Sequence, residues 1–302
     1  MRITNSMLNR SVLSDLNAVA NRLSETQRKL ASGKDINKPS DDPYGAGRAL
    51  NLRSELEAIK QHSRNVDEAL GWQTVTDTAL GKIGDIAQRA RELLVEGSTG
   101  TLGTTDREAI AQEIDQLIAG MKQEANATYD GRYVLGGTNT AVRPYDSSVQ
   151  ATPNDGFSGN NVTQLREIGP GVTLAVNVTG DEILGGTPTS PGNMVAVLRD
   201  ISTHLRAGDT DALGGADLEA LDDEIDKVLA IRARVGAGMN RLETAKSRLA
   251  EVQEAATKML SNVEEADMAR TIIDFNTQQA VYQSALKAGA QVIQPSLLDF
   301  LR

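Results

Sequence analysis

Near the start of the chain, Val12, Leu16, Val19, Leu23 and Leu30 are apolar, with Thr26 between the last two, so the steps alternate between four and three residues. That spacing keeps a narrow apolar stripe on one face of a helix, as in coiled-coil packing. Ser32-Gly33 predicts its end, because glycine takes the left-handed conformation of a helix terminus without a Cβ penalty. Asn37, Pro39, Ser40, Asp41, Asp42 and Pro43 follow, a turn-rich run in which helix is disfavoured. A second helical pattern spans about 44–96, with Leu52, Leu56, Ile59, Val66, Leu70, Leu80, Ile83, Ile86 and Leu93 near one face. Gly71, Gly81 and Gly84 interrupt it, each costing about 1 kcal/mol relative to alanine. Thr105 and Glu108 predict a capping box that opens a third helix carrying Ile110, Ile114, Leu117 and Met121.

The middle changes period. Val172, Leu174, Val176 and Val178 alternate with smaller or polar residues, and Gly169-Pro170-Gly171 precedes them, which predicts a β-hairpin in a small β-rich insertion. Helix returns over 193–207 and again from about Asp217. There the seam Val228, Ile231, Val235, Gly238, Leu242, Ala245, Leu249, Val252, Ala256, Met259, Val263, Ala266 alternates steps of three and four over more than five heptads. Such persistence predicts coiled-coil packing. The fold class expected is mainly α: a long antiparallel bundle formed by both chain ends, with a small β-rich inserted domain. Residues 1–40 carry seven basic and three acidic side chains, and residues 251–302 carry four basic and seven acidic. Opposite signs favour pairing of the two ends.

Composition supports this picture. Aromatic residues make up 3% of the 302 positions, while 39% are hydrophobic, mostly Leu, Val, Ile and Ala. Long helices suit that mixture. A net charge of −10 argues against nucleic acid as a partner. No apolar run approaches the roughly 20 residues of a membrane helix, so no membrane insertion is expected. The N-terminal stretch is interrupted by Asn5, Asn9, Arg10 and Asp15, unlike a cleaved secretion signal. With no cysteine there is no disulfide, thiol catalysis or thiolate-held zinc.

Catalytic chemistry finds little footing. His62 and His204 stand without a second ligand at helical or turn spacing and read as surface histidines. Gly236-Ala237-Gly238 starts like a dinucleotide fingerprint, but Arg241 occupies the third glycine position and no strand precedes it. Its small residues suit close helix approach instead. The acids between Asp217 and Asp226 match no calcium loop and suit a helix start. No catalytic residue, metal ligand or cofactor is expected. Gln294-Pro295-Ser296-Leu297-Leu298-Asp299-Phe300-Leu301 is different: Leu297, Leu298, Phe300 and Leu301 cluster where chains are normally exposed, which favours burial against another molecule.

The run from Leu30 to Pro43, Leu-Ala-Ser-Gly-Lys-Asp-Ile-Asn-Lys-Pro-Ser-Asp-Asp-Pro, closely resembles the signature of the flagellin superfamily. So do Met7-Leu8-Asn9, Leu52 to Leu56, Gln88 to Leu93, Gly238 to Leu242 and Ser261 to Ala269. The resemblance covers about residues 1–140 and 230–302. Within the superfamily, three features resemble the branch that joins hook to filament: Tyr282 to Lys287 followed by the Asp-Phe-Leu ending, Asp130 to Thr138, and a short β-insertion. A short filament flagellin remains open, as does, more distantly, a needle-tip-like helical protein of a type III system.

The resemblance implies a secreted structural protein at the hook–filament boundary. It implies type III export, an export chaperone bound near the C-terminus, hook-side and filament-side subunits as axial partners, and lateral contact with copies of itself. It implies terminal assembly segments at 1–43 and 256–302, a helical rod domain of 44–140 with 193–255, and an outer domain at 141–192. The implied subunit-assembly seam is Val12, Leu16, Val19, Leu23, Leu30, Val252, Met259 and Val263. The signature loop is Ser32, Gly33, Asn37, Pro39, Ser40, Asp41, Asp42 and Pro43, and Leu297, Leu298, Phe300 and Leu301 form the C-terminal assembly and chaperone segment.

Overall fold

The computed structural model describes residues 5–146, 157–186 and 193–293. The fold is mainly α, and it divides into two compact units: Met1–Ala58 with Val252–Arg302, and Ile59–Glu251. Two long helices, α2 (Pro43–Gly97) and α6 (Ala216–Glu264), each contribute to both. The boundaries at 58/59 and 251/252 therefore fall inside helices, where no composition shift marks them.

In the middle unit, α2 and α6 run antiparallel, as their ion pairs record: Asp67 with Lys246 at 2.8 Å, Asp77 with Arg232 at 3.2 Å, and Arg91 with Asp222 at 2.6 Å. Exposed pairs of this kind contribute little energy but report register. Helix α3 (Thr104–Ala125) packs on α4 (Met194–Ala207), and a short α5 (Thr210–Gly214) is capped by Asp209, whose carboxylate accepts the Ala212 N–H. Leu80, Ile83, Leu94, Ile114, Met121, Leu135, Leu198 and Ile201 share one closed apolar core.

Two glycines of the sequence pattern have packing reasons. A Cβ on Gly71 would collide with the Tyr129 hydroxyl, and Tyr129 stands edge-on to Trp72 with ring centroids 6.3 Å apart. Gly238 lies under the Gln73 amide, whose nitrogen would stand 2.9 Å from an added Cβ. The small residue there brings α2 and α6 together, as the seam pattern suggests.

Strand structure is slight. β1 (Thr128–Tyr129) pairs with β2 (Arg132–Tyr133) around Asp130 and Gly131, both at positive φ. β3 (Leu165–Gly169) pairs antiparallel with β4 (Val172–Ala175), so the expected hairpin forms, shorter than the alternating run. Val176 and Val178 leave the strand and turn inward. Tyr145 is fully buried beside Phe157 and donates its hydroxyl to the Gly185 carbonyl at 2.6 Å.

Three expectations are corrected. Helix α3 begins at Thr104, with Gly103 as its cap: the Asp106 carboxylate accepts the Gly103 N–H at 3.2 Å. Glu108 meets Arg206 of α4 instead of reaching back. The C-terminal helical region is two helices, because the chain breaks after Glu264 and resumes as α7 (Met268–Ile293), so Ala266 lies in the break. His204 is no isolated surface histidine. Its Nδ1 lies 2.7 Å from Oδ2 of Asp217, a pairing between the end of α4 and the start of α6 that one-dimensional spacing does not reveal.

Candidate assembly surface

In the terminal unit, α1 (Asn5–Ser32) packs along α7. The pair is antiparallel. Near one end Val12 Cγ1 would stand 3.1 Å from a Cβ on Gly289, and at the other Lys34 forms an isolated β-bridge with Glu265. Val19 is buried and Val12, Leu16, Leu23 and Leu30 are half-buried, so the predicted stripe faces inward. Most of a helix's stability in a protein comes from packing its apolar face rather than from propensity, and burial of that stripe holds the pair.

Burial stops there. Met268, Ile272, Ile273, Val281 and Leu286 of α7 are exposed, Ile273 to 65%, as are Met7 and Leu13 of α1 and Tyr44 and Leu50 at the start of α2. On the last turns of α6, Ala256 is buried and Val263 half-buried, whereas Val252 and Met259 face solvent, Met259 to 51%. Exposed apolar side chains in this number make the unit a candidate for contact with another molecule. The exposed residues of α7 lie beyond the heptad count that ends at Ala266. Leu297, Leu298, Phe300 and Leu301 lie outside the described residues.

The signature loop connects α1 to α2 through side chains capping backbone. Gly33 takes φ +69°, and the Ser32 hydroxyl donates to the Arg28 carbonyl at 2.9 Å. Asn37 donates to the Lys34 carbonyl. The Asp41 carboxylate accepts the Lys38 N–H at 2.8 Å and the Asn37 N–H at 3.2 Å, bonds that hold its pKa below the ordinary value. Asp42 caps α2 by accepting the Tyr44 N–H, and Pro43 occupies the first helical position, where its missing N–H costs nothing. Pro39 and Ser40 are exposed in the turn between.

The loop also grips the end of α6. The Asp35 N–H donates to the Glu264 carbonyl at 2.7 Å, and the Ala266 N–H donates to Gly33 at 3.0 Å. Lys34 and Arg53 both pair with the buried Glu264 carboxylate. Its pKa is lowered, chiefly by the Arg53 hydrogen bond, with Lys34 adding to the effect against desolvation. None of these three was singled out by the sequence pattern, since a partner more than 200 residues away leaves no local trace.

Elsewhere, a cleft of about 140 Å³ in the middle unit is lined by Glu68, Trp72, Tyr129, Arg132 and Arg166, a mixture without a nucleophile–base pair. Among the described residues, no group of three His, Asp or Glu side chains is placed to hold a metal, and no helix is long and apolar enough to cross a membrane.

Comparison with known proteins gives this arrangement its context. Residues 3–140 match the model of the bacterial flagellin N-terminal helical region, and residues 218–301 match that of the C-terminal helical region. The chain is 28% identical to the flagellin of Bacillus subtilis, covering 100% of both. It is 25% identical to flagellar hook-associated protein 3 of Escherichia coli, covering 86% of this chain and 87% of that one. In fold it is similar to a solved structure from Vibrio parahaemolyticus, provisionally named a flagellar hook-associated protein, with a TM-score of 0.66 at 24% identity, covering 74% of this chain and 100% of that one. With both of the family's helical regions matched at the two ends of the sequence, the chain belongs to the bacterial flagellin family.

Proposed function

We propose that this chain is the adaptor between hook and filament of a bacterial flagellum, a structural protein rather than an enzyme. The observation that carries an assembly role is the terminal unit: a helix pair that buries one stripe and leaves Met259, Met268, Ile272, Ile273 and Val281 in solvent. Those residues need a neighbour, and neighbouring flagellar subunits supply one. The adaptor position is supported by the likeness to the hook-associated protein of E. coli, by the short β-insertion and by the compact turn at Asp130-Gly131.

On this reading, 1–43 and 256–302 are the assembly segments, 44–140 with 193–255 the helical rod domain, and 141–192 the β-rich outer domain. Val12, Leu16, Val19, Leu23 and Leu30 hold the pair together, while Val252, Met259 and Val263 meet the next subunit. The signature loop, Ser32 to Pro43, sets the turn between the two segments. Leu297, Leu298, Phe300 and Leu301 bind an export chaperone first and a neighbouring subunit later. Export is through the flagellar type III route, and lateral contact is with copies of this chain.

The likeness to the B. subtilis flagellin favours a second reading, a filament subunit. An adaptor needs different partners above and below, and unlimited head-to-tail growth would defeat it. Gene deletion separates the two. An adaptor's loss leaves hooks and releases flagellin into the medium, and immunogold labels a single site at the hook–filament boundary. Label along the whole filament, or long polymers of the purified protein alone, would overturn the adaptor assignment. Replacing Leu298, Phe300 and Leu301 with serine is expected to leave the middle unit folded and to reduce both chaperone binding and incorporation. Normal motility with normal chaperone affinity would remove that segment from the mechanism.

A further inference from the structure

Helix α6 ends on a charge that helix physics disfavours there. Glu264 is its last residue, at the carbonyl-rich end that repels carboxylates, and its side chain is 5% exposed. The backbone does not need it. The bonds from Asp35 to the Glu264 carbonyl and from Ala266 to Gly33 already satisfy the stop, and Asp267 opens α7 by accepting the Arg270 N–H at 3.1 Å. A buried carboxylate is costly unless cations compensate it. Both cations come from the other end of the sequence: Lys34, two residues past α1, and Arg53 in α2.

Lys34 follows the end of α1 and Glu264 precedes the start of α7, so the cluster fixes the two facing ends of the helix pair. The Asp35–Glu264 and Ala266–Gly33 backbone bonds bridge the same ends, and the cluster adds two charge-assisted side-chain bonds to them. Together they hold one end, and the remaining turns pack at high effective concentration.

We propose that Glu264 is a positioning residue for assembly: through Lys34 and Arg53 it couples α1 to α7, so that the two chain ends order together as one pair. Single-residue changes in the cluster then act on contacts many turns away, near Val12 and Gly289.

The cysteine-free sequence allows a direct test in the full chain. Val12→Cys and Gly289→Cys place two thiols across the far end of the pair, and the rate of disulfide formation in the monomer reports how often that end is closed. Adding Glu264→Gln is expected to slow formation about tenfold, and Lys34→Met with Arg53→Met to slow it similarly. All three changes together slow it no further than the larger effect, because the residues act through one cluster. The urea midpoint of the middle unit stays unchanged throughout. An unchanged rate in the Glu264→Gln variant, or slowing that adds across the two sets, overturns the coupling.

Discussion

In the middle unit, Leu80, Ile83, Leu94, Ile114 and Leu198 are closed from solvent among four helices. In the terminal unit, Val19, Ala49, Leu56 and Ala256 are the buried apolar residues among those described, while Met259, Ile272, Ile273 and Val281 stand in water. Both units are helical and draw on similar side chains. They differ in enclosure: the middle unit shuts large side chains away from water on all sides, whereas the terminal unit buries a stripe and leaves other apolar positions of the same helices in solvent. Each large side chain fully buried stabilises by about 1.5–3 kcal/mol, so the middle unit draws far more stability from its own core than the terminal unit does.

The largest expected effect follows from that contrast. In monomer, amides of 80–94 and 195–205 should exchange about a thousandfold more slowly than those of 12–30 and 270–289, because local opening costs little where few apolar contacts are lost. Equal, strong protection of both units in a proven monomer would erase the distinction. Next in size is cavity creation. Leu198→Ala in the enclosed core should cost about 3 kcal/mol in urea unfolding, whereas Val19→Ala should cost under about 1 kcal/mol, since its surroundings can collapse or hydrate. A comparable loss at both positions would mean that the terminal pair has a core of its own. Smaller again is Gly71→Ala, at about 2 kcal/mol from displacing Tyr129 against Trp72. The same change at Gly47 of α2 meets open space, and it should be neutral or slightly stabilising.

What the sequence disclosed follows from the range of the interactions. Helix α1, its end at Gly33, helix α4 and the β3–β4 hairpin were legible because period and turn chemistry are local. The start of α3 was read two residues late because Thr105-x-x-Glu108 mimics a capping box whose glutamate is drawn away by Arg206. The break after Glu264 was hidden because Val263 and Ala266 keep the heptad step through it. The Gly33–Asp35 segment, distant in sequence, takes up the backbone groups where the helix stops. The signature loop was legible as residues and opaque as a mechanism: Asp41 and Asp42 act locally on their own turn and cap, whereas Lys34 acts on a carboxylate at the far end of the chain.

The smallest predicted effect is a pH dependence confined to the middle unit. His204 lies in the last turn of α4, where a cation is favoured, and Asp217 in the first turn of α6, where an anion is favoured. The hydrogen bond to Asp217 raises the His204 pKa above 6.5, with desolvation opposing and the charges of Asp217, Asp209 and Asp200 assisting. A raised folded pKa means the folded state holds the proton more tightly than the unfolded chain. The stabilisation is therefore complete below about pH 6.5 and is lost as pH rises through the folded value. With the His204 side chain 35% exposed, solvent screening keeps the loss small, about 0.5 kcal/mol. Urea unfolding of the middle unit should show that decline, and His204→Gln should flatten it. Both histidines lie in the middle unit, so protection factors in α1 and α7, corrected for intrinsic exchange, should stay level across the same window. A decline that persists in the His204→Gln variant, or one that runs in the opposite direction, would detach it from this pair.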